Sequence, residues 1–158
     1  MGKLSGKKLL LLGERDGVPG PAMADVFANS GAEVLFSATE CFVRTAAGAM
    51  DLENQQRVKD AAEKYGAENV VVILGSSDPE GAEIYAETVT LGDPTFAGPL
   101  AGVPLGLCVY HVFEEEMKSE ADPAAWEEQI SMMEMVLNTE ALAASVKKMR
   151  DANSKYPL

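Results

Sequence analysis

The 158-residue chain has one histidine and two cysteines, and its thirteen basic side chains face twenty-five acidic ones. Two cysteines, Cys41 and Cys108, cannot build a disulfide framework, and such sparse usage fits a reducing compartment. A lone histidine without clustered Cys/His spacing argues against a zinc site, and no metal is expected. The net charge of −12 argues against nucleic acid, whose affinity comes mainly from Lys and Arg on phosphates. No apolar run approaches the roughly 18–20 residues of a membrane span. The start, Met1–Lys8, leads into only four leucines, short of the roughly 7–15-residue core of a signal peptide. Gly2 followed by Ser5 is not the myristoylation spacing. The spacing of Gly13, Gly17 and Gly20 is not G-x-G-x-x-G, and no phosphate-loop motif occurs. The expectation is a soluble cytoplasmic protein, acidic enough to be steered toward basic partner surfaces.

What is present is core-forming material: 47% of the residues are hydrophobic, enough at this length for one domain. Short β-branched or leucine runs alternate with helical stretches, the pattern of a parallel sheet covered by helices. Strands are predicted at Lys8–Leu12, Glu33–Ser37, Asn69–Leu74 and Leu105–His111. Val70-Val71-Val72-Ile73 is continuous, as a strand covered on both faces should be. Helices are predicted at Ala22–Asn29, at Leu52–Tyr65 with Asp51 as N-cap and Gly66 as stop, and from Asp78-Pro79 to about Leu91. Leu52, Val58, Ala62 and Tyr65 are the expected inward residues of the second. A C-terminal helical pair spans about 123–153, the first from Asp122-Pro123 to about Leu137. The second is capped by Asn138 and ends in Lys147, Lys148 and Arg150, the charges a helix C-terminus favours. Trp126, Met132, Met133 and Met135 read as a packing face. The fold class is α/β: a single three-layer domain, mostly parallel sheet covered by helices, Rossmann-like or flavodoxin-like.

Active sites in such sheets gather at the carboxyl ends of the strands. Four segments lie there: Gly13–Gly20, Ala38–Met50 in a central position, Gly75–Asp78, and the residues after His111. Cys41 stands in the second of these, before a helix start and three residues ahead of Arg44. A thiolate is favoured near cations and helix N-termini, so Cys41 is either a reactive thiol or a small core thiol. Cys108, within a covered strand, reads as core filler. His111 could serve as acid or base, or as a hydrogen-bonded structural residue. Arg15, in the loop after the first strand, could pair with a carboxylate or with Asp16 beside it. Gly92–Gly102, rich in Gly and Pro, joins a helix to a strand and should lie on the face opposite the site. It is either plain turn chemistry or a docking surface.

The segment Cys41-Phe42-Val43-Arg44-Thr45-Ala46-Ala47-Gly48-Ala49-Met50-Asp51-Leu52-Glu53-Asn54-Gln55 resembles the selenocysteine motif of protein A, the selenoprotein of the glycine, sarcosine and betaine reductase complexes. The likeness extends through Gly13–Pro21, Lys64–Gly75, Gly92–Val103 and 128–137, and so covers almost the whole chain. At position 44 the family has selenocysteine and this chain has Arg44. The resemblance implies that position 44 is the nucleophile and Cys41 its resolving thiol, with no cofactor beyond the selenium. It implies that protein B presents the activated amine substrate, protein C releases acetyl phosphate, and the thioredoxin system reduces the selenide–sulfide. Arg44 has no nucleophilic lone pair at any accessible pH, so the chain as written is expected to be inactive. One base separates the selenocysteine codon UGA from the arginine codon CGA. A non-catalytic flavodoxin-like binding or scaffold module is the alternative.

Overall fold

The computed structural model describes residues 2–41 and 49–158. Four strands, β1 (Lys8–Glu14), β2 (Glu33–Glu40), β3 (Val70–Gly75) and β4 (Cys108–His111), form one parallel sheet in the order β2-β1-β3-β4. Helix α1 (Gly20–Val26) joins β1 to β2, α2 (Leu52–Tyr65) joins β2 to β3, and α3 (Pro79–Thr90) joins β3 to β4. Because β2 lies on one side of β1 and β3 on the other, right-handed crossovers put α1 and α2 on opposite faces of the sheet. The three-layer α/β arrangement expected from the sequence is the one observed.

The apolar runs are buried as their continuity requires: β3 is buried throughout, as are Leu9–Leu12 of β1. Helix α2 keeps the limits read from its signals. Asp51 accepts from the backbone N–H groups of Glu53 and Asn54, and Gly66 ends the helix at a φ of 88°. Val58, Ala61 and Ala62 face the core, and Tyr65 packs at its margin. Leu52, expected inward, is half exposed at the first position of the helix, its side chain against Gly98.

The C-terminal region departs from the predicted helical pair. After a short α4 (Glu115–Lys118) come α5 (Pro123–Gln129), α6 (Ser131–Val136) and α7 (Thr139–Asn153). The predicted helix to Leu137 breaks at Ile130, where φ is −119°. The Ser131 hydroxyl donates to the Glu127 carbonyl at 2.6 Å, a back-bond that bends helices. The break turns Ile130 and Met133 inward with Trp126 and leaves Met132, Met135 and Val136 on the surface. The methionine stripe is therefore only partly a packing face. Arg150 is no solvated helix end either. Its guanidinium is buried, makes two 2.8 Å bonds to the Glu114 carboxylate, donates to the Val109 carbonyl and lies 3.8 Å from the Tyr110 ring centre.

β4 begins at Cys108 rather than Leu105. Strands β1 and β2 run further than predicted, to Glu14 and Glu40, so Cys41 is the first residue past its strand.

Candidate functional site

Parallel pairing of β1 with β2 sets Gly13 opposite Thr39 and Glu14 opposite Glu40, so both strands end level. The Arg15 N–H then donates to the Glu40 carbonyl at 2.9 Å, which brings the Arg15 backbone beside the residue that precedes Cys41. The Arg15 side chain is exposed, and among the described residues it forms no ion pair.

Cys41 itself is half buried, whereas Cys108 is buried in β4, where loss of solvent pushes its thiol up to about 11. Cys108 is the core filler read from the sequence, and Cys41 is the more accessible of the two thiols. Position 44 lies outside the described residues, so the geometry bears on the two ends of its segment.

The site differs from expectation in where it sits. β2 is an edge strand, so Cys41 stands at the margin of the sheet and not centrally among the carboxyl-end loops. The crevice a small ligand would use lies between β1 and β3, where the strand order reverses. Here the first loop fills that crevice. Val18 N–H donates to the Gly75 carbonyl at 2.9 Å, and a side chain at Gly17 would collide with the same carbonyl oxygen. Glu14, buried, accepts from the Ser77 backbone N–H at 2.9 Å and from its hydroxyl at 2.6 Å, sealing the remainder.

Cys41 opens instead onto a pocket of about 310 Å³ at the edge, which it lines with Thr39, Glu40, Asn54 and Arg57. Glu40 organises this pocket. Its buried carboxylate accepts from the Tyr85 hydroxyl at 2.6 Å, from the Asp51 N–H at 3.0 Å and from the Asn54 side chain at 3.1 Å. One carboxylate thus ties the residue before Cys41 to the cap of α2, the two ends of the segment carrying position 44. Burial raises the Glu40 pKa above its ordinary value, with Tyr85, Asp51 N–H and Asn54 opposing. Burial and the Glu40 charge push the Tyr85 hydroxyl upward, so it stays a proton donor. On the pocket's outer side Arg57 pairs with Glu53 at 2.9 Å and lies over the Phe36 ring.

The Gly92–Gly102 loop is not on the opposite face. Gln55, in the first turn of α2, donates to the Met50 carbonyl and to Asp93, and accepts from the Leu100 N–H at 3.1 Å. The loop therefore packs against the helix that follows the Cys41 segment. Glu40, Tyr85, Gln55 and Arg57 escaped the sequence reading, since an isolated Glu or Gln carries no spacing signal. Asp93 had one: Asp-Pro-Thr before a Gly-Pro turn is the composition of a side-chain-capped turn.

His111 is fully buried. Its Nε2–H donates to the Ser76 carbonyl at 2.8 Å, while Nδ1 accepts from the Phe113 N–H at 3.2 Å, which fixes one neutral tautomer. Burial lowers its pKa to about 4, against the opposing Ser76 bond. Both nitrogens are used within the fold, which is the structural role and not the catalytic one.

Residues 4–150 match the family described as glycine reductase complex selenoprotein A. The chain belongs to that family. It is 63% identical over 156 residues to the glycine/sarcosine/betaine reductase complex component A of Carboxydothermus hydrogenoformans, covering 99% of this chain and 100% of that one. It is 58% identical to the component A of Treponema denticola, over 97% of this chain and 98% of that one. Against component A1 of Peptoclostridium acidaminophilum it is 56% identical over 99% of each. No solved structure matches. A component A belongs to a multi-protein oxidoreductase system, so other proteins of that complex are its partners. Among the described residues no helix is long and apolar enough to cross a membrane.

Proposed function

We propose that this chain is built as the selenol carrier of its reductase complex, with position 44 as the nucleophile position and Cys41 as the resolving thiol. The observation that carries the reading is the placement of Cys41, half buried at the open edge of the sheet and lining a pocket there while the usual ligand crevice is filled. Such a site suits a group handed between proteins better than a small molecule held by one.

With selenocysteine at position 44, its selenolate attacks the α-carbon of an amine substrate activated on protein B. A C–Se bond forms and the C–N electron pair leaves with the amine, giving a carboxymethyl selenoether. Arg15, its backbone beside the residue that precedes Cys41, offers a guanidinium for the carboxylate of that group. The Cys41 sulfur then attacks selenium. The S–Se bond forms, the C–Se pair stays on carbon, which takes a proton, and the acetyl-level fragment passes to a thiol of protein C with loss of a carboxylate oxygen as water. Phosphate releases it as acetyl phosphate. A dithiol of the thioredoxin system returns two electrons by reducing the S–Se bond. This chemistry belongs in the reducing cytoplasm.

Arg44 cannot perform the first step. It also favours a second reading, a non-catalytic binding module on the same fold. Reconstitution with proteins B and C discriminates. With Arg44 replaced by selenocysteine, acetyl phosphate should form from glycine, sarcosine or betaine, and with Arg44 it should not. Failure of the selenocysteine form would leave the binding module as the better account.

A further inference from the structure

The Gly92–Gly102 loop is more strongly built than a turn requires. Asp93, buried, accepts hydrogen bonds from the backbone N–H groups of Thr95, Ala97 and Gly98, from the Thr95 hydroxyl and from Gln55. These bonds hold Phe96 at a φ of +54°, with the residue 75% exposed. A left-handed backbone is unfavourable for a bulky side chain and persists only where the surroundings impose it, a condition that gathers at functional sites. Were the loop only a turn, Gly or Asn at this position would remove the strain.

A second exposed apolar group touches the same loop at Gly98. Leu52 is half exposed, its side chain fills the space where a Gly98 side chain would stand, and the acidic Asp51 and Glu53 flank it. Gln55 bonds both the loop and the Met50 carbonyl, so this apolar pair is fixed to the end of the segment that carries position 44.

We propose that Phe96 and Leu52 anchor the chain on the substrate-carrying component of the reductase complex, by entering an apolar cleft rimmed with Lys and Arg on that partner. The inference rests on the carrier reading above, since the first bond requires the partner's bound amine to reach position 44. A strained, exposed aromatic on a loop bonded through Gln55 to the start of α2 supplies the rigid anchor that hot spots use. The flanking acids and the net charge of −12 supply the complement to a basic rim. Met132, Met135 and Val136 are also exposed, but α6 follows α5, which packs on α1 and not on the α2 start that Gln55 ties to the loop.

The test is equilibrium binding of the Arg44 protein to purified, substrate-loaded protein B, so that chemistry does not intrude. Phe96→Ser should weaken binding about tenfold or more, Leu52→Gln several-fold, and Phe96→Tyr little. Met135→Ser should bind like the starting protein, and added salt should weaken the complex. Thermal melts of each variant confirm folding. Unchanged binding by Phe96→Ser, or a loss confined to Met135→Ser, overturns the anchor and leaves the carrier reading standing. No binding of the unaltered chain to protein B overturns both.

Discussion

At the scale of single residues, Glu40 joins the two ends of the segment that carries position 44, and Cys41 follows it directly. If that closure brings positions 41 and 44 together, Arg44→Cys should form a reversible intramolecular disulfide with Cys41, reducible by thioredoxin. Two cysteines close when their Cα atoms lie within about 7 Å. Free-thiol titration after mild oxidation reads the outcome, and two persistent free thiols in a folded protein would show that the segment keeps them apart. His111 makes a separate prediction. Its folded pKa, about 4, lies below its ordinary value of 6.5, so between these values the unfolded chain binds more protons. Stability from His111 is then present above pH 6.5 and lost as pH falls toward 4, by at most about 3 kcal/mol. Glu40, raised by burial, acts with the opposite sign, so the comparison must be with His111→Gln. Denaturant midpoints of that variant should fall less steeply over this range; parallel slopes would contradict the assignment. The cysteines, His111 and Arg15 were legible as candidates because residue type and strand-end position pick them out. Glu40 was not, since its significance comes from three donors on α2, α3 and the α2 cap that only folding assembles.

Among the elements, those with local signals at both ends were the readable ones. α2 has its Asp51 cap and its Gly66 stop, and both limits followed from them. The long helix expected after Pro123 failed because Ser131 competes for a backbone carbonyl, a contest that periodicity does not display. The Gly92–Gly102 loop was recognised as a loop but assigned to the wrong face, because chain order gives no hint that Gln55 of α2 would claim it. Asp93→Ala tests how far that loop depends on one carboxylate. Burial raises the Asp93 pKa, but the bonds from Thr95, Ala97 and Gln55 outweigh it and leave it lowered. Removal of the carboxylate strands several buried donors, so unfolding experiments should show a loss of about 2–4 kcal/mol, with Asp93→Asn losing less. Hydrogen exchange should quicken at Thr95, Ala97 and Gly98. A loss below about 0.5 kcal/mol would mean that water or neighbouring groups satisfy the loop without Asp93.

For the whole molecule, the strand order decides how the chemistry is presented. Alternating apolar runs and helices made the α/β architecture legible, but not the order β2-β1-β3-β4 that moves Cys41 from the centre to an edge. The same order closes the β1/β3 crevice with Gly17, Val18 and Glu14. On the other flank, the buried Arg150–Glu114 pair fixes α7 to the residues following β4. The result sets Cys41 at the margin of the sheet, a placement suited to the proposed carrier that meets several proteins in turn. That carrier role is measured most directly by intact-protein and peptide mass spectrometry after turnover with substrate-loaded protein B, before protein C is added. With selenocysteine in place of Arg44, a carboxymethyl group should be found on residue 44 and nowhere else, while the Arg44 chain should remain unmodified. A carboxymethyl adduct on the Arg44 chain, at Cys41 or elsewhere, or an unmodified selenocysteine form, would contradict the account.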